Sequence, residues 1–179
     1  MSSKEYFAAK LASGTAAASK MALWWPKHGH ASMELLAACS DVHEDIQRAE
    51  KAFLLAADEW EAVVPSAQPR RAGADVGLMC EHTLLEIDLI YAMVTGHPGS
   101  IQRLTERMVD NAKVHATRYV HAMPGFPGAR FGQLLQEHVE LFLEAVRSRC
   151  ERNVGAALKC AKAMDNNSVA LAALTAEWF

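Results

Sequence analysis

Apolar residues recur along this chain at three- and four-residue intervals, and no stretch alternates with the two-residue period of a strand. The clearest case lies within residues 31–64, where Cys39, Val42, Ile46, Ala49, Phe53, Ala56, Trp60 and Val63 keep a strict 3-4-3-4 spacing. A 3.5-residue repeat describes a seam that packs at about 20° against its neighbours, as in coiled coils and helix bundles. The opposite side, with Asp41, Glu44, Asp45, Arg48, Lys51, Asp58 and Glu59, reads as a solvated face. An earlier helix is predicted over residues 4–25, with Phe7, Leu11, Ala18, Met21 and Trp25 on one side, and Pro26 is expected to stop it. Glycine and proline cluster at residues 26–29, 65–77, 96–99 and 124–128, which predicts turns there.

The C-terminal half repeats itself at an offset of 56 residues. Leu78-Met79-Cys80-Glu81-His82 and Leu85 match Leu134-Leu135-Gln136-Glu137-His138 and Leu141, while Met108 and Asn111 match Met164 and Asn167. His82 stands 29 residues before Asn111, and His138 stands 29 before Asn167. The midpoints fall in Thr95-Gly96-His97-Pro98-Gly99 and in Arg152-Asn153-Val154-Gly155, so folding each half at its turn sets each His opposite its Asn. All four occupy seam positions, in the series Leu78, His82, Leu85, Leu89; Leu104, Met108, Asn111, His115; Leu134, His138, Leu141, Ala145; and Cys160, Met164, Asn167, Leu171. The linker at 123–128 is short, so the two hairpins should run up-down-up-down, with the four polar side chains on one level roughly 20 Å from each turn. The expected fold is therefore all-α: an N-terminal helical hairpin or arm over 1–65, and a four-helix bundle from a duplicated hairpin over 75–179, forming one compact unit.

Composition narrows the function classes. The chain has 179 residues, 51% apolar and 22% charged, enough for a single core that needs no disulfide staples. A net charge of −3 gives no basic surface for nucleic acid. Cys39, Cys80, Cys150 and Cys160 contain no C-x-x-C pair and read as reduced thiols. No apolar run approaches the roughly 18 residues of a membrane span, so the expected protein is soluble and intracellular. Residues 1–25, rich in Ala, Ser and Lys, have the composition of an organellar transit peptide, which leaves an organellar or assembly-bound location open.

The C-terminal hundred residues resemble a family of short, all-helical, uncharacterised proteins found mainly in bacilli. The resemblance rests on Glu81-His82, Arg103-Leu104, Asn111, Leu134-Leu135, Glu137-His138, Asn167 and the closing Trp178. In that family each Glu-His helix is followed by a helix bearing Asn and then Asp. Here Val114 and Val169 stand where the acids are expected, and Met164 where the family tends to have Trp. The resemblance implies the helical fold and the duplication, and no activity.

Two readings of the polar layer follow. In the first, His82–Asn111 and His138–Asn167 hydrogen-bond across the bundle, directly or through one buried water, and fix its register, as buried polar seam residues do. In the second, His82 and His138 ligate a transition metal or small molecule, with Glu81 or Glu137 turning inward and His115 one turn away. No other cofactor is expected. The chain lacks a nucleophile elbow, a Walker loop and a dinucleotide-binding glycine motif, so no catalytic residue is assigned and the balance leans away from an enzyme. His28 and His30 flank Gly29 in a predicted turn, with weak metal binding as the alternative, and His97 and His121 fall at helix ends as caps. Arg147, Arg149, Arg152, Lys159 and Lys162 surround the second hairpin turn as a solvated basic cluster. The leading expectation is a non-enzymatic structural or interaction protein, a subunit of a larger assembly, binding a protein partner or itself through an N-terminal arm carrying Trp24 and Trp25. The second is a metal- or ligand-binding bundle.

Overall fold

Helical periodicity is realised throughout the described part of the chain. The computed structural model describes residues 16–41, 51, 54–55 and 76–178, which hold five long helices and, among the described residues, no strand. These are α1 (Ala16–Asp41), α2 (Val76–Val94), α3 (Pro98–Ala122), α4 (Gly128–Cys150) and α5 (Val154–Ala176). The predicted helix start at 4–15, the seam positions from Val42 to Val63, the connection at 65–75 and the two chain ends lie outside the described residues.

The two hairpin turns fall at the predicted midpoints. Between α2 and α3, Gly96 takes the left-handed φ of 72° that a Cβ would oppose, and Pro98 opens α3 at a position where no N–H is needed. Between α4 and α5, Arg152 takes a φ of 58°, and the Asn153 side chain accepts from the Ala156 N–H at 3.1 Å to cap α5. Folding at these points places α2 beside α3 and α4 beside α5, with α3 packed on α4. Most seam positions behave as expected: Leu85, Leu89, Leu104, Met108, Leu134, Ala145, Met164 and Leu171 are buried, whereas Leu141 and Cys160 are only half-buried and Phe142 fills the core beside Leu141. At the end of the bundle near the linker, Tyr119, Phe126 and Phe131 stack together, and Trp178 meets Phe126 at 5.6 Å.

The N-terminal region differs from the expectation. Pro26 does not stop a helix, and residues 26–29 are not a turn; α1 runs through them without a break. Proline inside a helix costs roughly 3 kcal/mol and glycine about 1 relative to Ala. Against that, α1 buries Trp24 and Trp25 to 2% and 0% exposure, and a tryptophan covering about 150–250 Å² contributes on the order of 4–6 kcal/mol. Tertiary packing therefore outweighs the local breakers. The Trp pair is core of this chain and is not displayed on an arm for a partner. α1 lies along α5 and also touches α2 and α4, so it serves as a fifth helix on the duplicated half. Its approach is close: a Cβ at Gly29 would sit 2.7 Å from the Ser168 Oγ of α5. No described helix is long and apolar enough to cross a membrane.

Candidate metal centre

His82 and Glu86 stand one turn apart on α2, so both project from the same face into the core. α4 brings His138 to the same place, and α1 brings His28. All four side chains are buried, none more than 1% exposed. One ligand atom from each lies within 4.8 Å of those of the other three. Glu86 is the hub: its Oε2 is 3.4 Å from His28 Nε2, and its Oε1 is 3.6 Å from His82 Nε2 and 3.7 Å from His138 Nε2. Ligands at about 2.1 Å from a tetrahedral ion stand roughly 3.4 Å apart, so the three contacts to Glu86 are already near that spacing, while the set as a whole, spread over up to 4.8 Å, would draw in around an ion.

The surrounding groups orient this cluster. The Asn167 side-chain amide donates to the Leu134 carbonyl at 3.0 Å, which leaves its Oδ1 as the acceptor facing His138 Nδ1 at 3.1 Å. His138 therefore carries a proton on Nδ1, and its Nε2 is turned toward the cluster. Ser32 Oγ, one turn beyond His28, lies 3.0 Å from both Glu86 Oε2 and the His28 carbonyl, and its single hydrogen serves one of them. Trp24 stacks on His28 at 4.7 Å, and Trp25 presents an edge to His28 and His138 at 6.1 and 5.9 Å. The two indoles wall the centre on the α1 side.

The electrostatics are those of a buried carboxylate ringed by three imidazoles. Burial pushes His28 down to about 3, overcoming the pull of Glu86, and His138 and His82 push the same way, so this imidazole is neutral at ordinary pH. For Glu86 burial works in the opposite direction, but His28, His138 and His82 together outweigh it and hold the carboxyl below the usual carboxylate range. Among the described residues its ion-pair partners are these three imidazoles, with no Lys or Arg. Glu86 Oε1, His82 Nε2 and His138 Nε2 are buried and make no hydrogen bond. Glu86 Oε1 thus faces two imidazole Nε2 atoms at 3.6 and 3.7 Å, just beyond hydrogen-bond length.

Of the residues anticipated from sequence, His82, Asn111, His138 and Asn167 are all buried in the bundle, as the duplication requires. The His138–Asn167 bond forms. The expected His82–Asn111 bond does not: Asn111 donates instead to the Leu78 carbonyl at 3.0 Å and to Glu81 Oε2 at 3.2 Å. Glu81 and Glu137 do not turn inward as ligands. Glu81 is held outward by Arg107 at 3.0 Å, and Glu137 is exposed, because a residue adjacent to a core position is rotated by about 100° around the helix. His115 is buried against Tyr119 but lies outside the cluster. His30 is exposed beside Glu34 on α1, not in a turn. His97 occupies the N-cap of α3 without a side-chain cap bond, and His121 Nδ1 lies 2.9 Å from the Thr117 carbonyl. Arg147, from the basic cluster, pairs with Glu144 at 3.0 Å.

One member of the centre, Glu86, escaped the sequence reading, although the His-x-x-x-Glu spacing on one helix was a usable signal. His28 was named only as a weak metal ligand beside His30 in a turn, since Pro26 and Gly29 argue locally against a helix. Comparison with known protein families, with curated proteins and with solved structures finds no match to this chain.

Proposed function

We propose that this protein is a metal-binding helical bundle that holds one transition-metal ion between His28, His82, Glu86 and His138. The observation that carries this reading is the convergence of three imidazoles and one carboxylate, all fully buried, with one ligand atom from each within 4.8 Å of the others. Buried polar groups are nearly always paired, and a buried anion needs a countercharge. A cation satisfies both demands at once. Three imidazoles and a carboxylate suit zinc, iron, cobalt or nickel, and the absence of thiolate from the cluster disfavours a soft ion such as copper(I).

The structural role anticipated from the missing catalytic motifs becomes specific under this reading. Three ligands come from the duplicated half and one from α1, so the ion fastens the N-terminal helix to the repeat. Elemental analysis of protein purified without chelator tests it. One equivalent of metal is expected in the natural sequence and none in Glu86→Gln or His82→Ala. Substoichiometric metal that persists unchanged in His82→Ala would overturn it.

A further inference from the structure

The proposed centre leaves a charge unbalanced. Imidazole ligates through a neutral nitrogen, so a divalent ion there meets one negative charge from the protein, that of Glu86. Glu86 is the only buried acid among the described residues. Glu81, five residues earlier on the same helix, is partly exposed and already committed to Arg107 at 3.0 Å and Asn111 at 3.2 Å. The repeat explains the shortfall. At the 56-residue offset the position matching Glu86 is Phe142, which is fully buried and apolar. A symmetric centre would draw two carboxylates from its two halves, and this one draws a single carboxylate. The loaded site would carry a net positive charge in surroundings where water cannot solvate it, the situation in which a cation recruits an anion.

Coordination number points the same way. Iron and cobalt commonly take five or six ligands, and zinc can expand from four to five, so a four-residue set leaves the coordination of such an ion open to one more donor. Space limits what that donor is. Trp24 and Trp25 close the α1 side, and no ligand residue reaches the surface. Two surface grooves among the described residues, one between α3 and α4 and one beside Met33 and Leu36, are lined by none of the four ligands. Resting on the metal-centre reading, we infer that the bound ion takes a small inorganic anion, of hydroxide to azide size, as an additional ligand from outside the protein. The chemistry assigned to the centre is thus capture of small anions at a buried ion.

Cobalt(II) substitution tests this on the full chain, because its visible spectrum reports coordination number and its binding can be counted separately. Metal-free protein is loaded with cobalt, its stoichiometry is measured, and azide is then titrated. The expected result is one cobalt per chain and a saturable spectral change with an isosbestic point, which benzoate, too large for the site, does not produce. One cobalt per chain with a spectrum indifferent to azide overturns the anion proposal and leaves the metal centre standing. A change produced equally by benzoate overturns the size restriction and with it this assignment. Failure to bind cobalt at all overturns the metal-centre reading itself.

Discussion

The two hairpins of the duplicated half share a scaffold and differ in chemistry. In the first, Asn111 donates to the carbonyl of Leu78; in the second, Asn167 donates to the carbonyl of Leu134, at the same 3.0 Å and the same separation of 33 residues. Each hairpin also buries a His one turn beyond that carbonyl, His82 and His138. One turn further the likeness ends, with Glu86 in the first hairpin and Phe142 in the second. The repeated parts set helix register and hold the rings in place. The unrepeated parts, Glu86 and the incoming His28, convert a symmetric polar layer into a site with charge and with a wall of tryptophan. Duplication supplies the geometry here, and asymmetry supplies the chemistry.

The hardest way to break this contrast is to remove its one charge. Glu86→Gln is expected to abolish metal binding and with it the stabilisation a bound ion gives, about 4 kcal/mol at a free metal concentration a thousand times Kd. A strong chelator should lower the thermal midpoint of the natural protein and leave that of Glu86→Gln where it was. Calorimetry with and without chelator reads this difference, and a natural protein indifferent to chelator would contradict it.

The two asparagines separate scaffold from chemistry at smaller cost. Asn167→Leu removes the acceptor that fixes the His138 tautomer, and the loss of such an outer partner weakens metal affinity by roughly 10- to 100-fold. Asn111→Leu leaves the Leu78 carbonyl without its donor and should cost about 1–3 kcal/mol of stability, with metal affinity little changed because Asn111 does not touch His82. Equal losses of affinity in the two variants, measured by competition with a chromogenic chelator, would show that the halves contribute alike. Phe142→Leu sharpens the comparison from the other side. A near-volume swap in the core should cost only about 1 kcal/mol and leave metal content intact.

How far the sequence disclosed this arrangement follows the same division. Whatever repeats was legible: the offset, the turns near residues 96 and 152, and the burial of His82, Asn111, His138 and Asn167 all follow from matching one half to the other. Glu86 was overlooked because a search for repeated chemistry discounts a position whose partner is Phe142, although its spacing from His82 places both on one face. His28 was misplaced because helix breakers act locally, whereas the burial of Trp24 and Trp25 that overrides them depends on α2, α4 and α5 being present. The His82–Asn111 bond failed for a related reason. Asn111 lies within reach of a charged acceptor, Glu81, which Arg107 holds in place, and the second hairpin has no equivalent, since Ala163 stands at the position matching Arg107.

That last difference yields the smallest expected effect. Arg107 beside Glu81, reinforced by the Asn111 amide, holds the Glu81 carboxyl below the usual carboxylate range. A folded-state value depressed below the unfolded one, near 4.3 for glutamate, adds stability that is present above the unfolded value and is lost as pH falls through the folded one. Both side chains are well exposed, at 42% and 55%, so solvent and salt screen the pair and its worth at neutral pH is below about 1 kcal/mol. Arg107→Ala should therefore lower the urea midpoint slightly at pH 7, and the difference should vanish in acid and shrink in high salt. Glu137→Gln, at the unpaired counterpart in the second hairpin, should do nothing measurable. Metal content should be unchanged in both variants. Its loss in Arg107→Ala would mean that Glu81, once freed, competes for the centre, and the outward position of that carboxylate would then be a restraint imposed by Arg107.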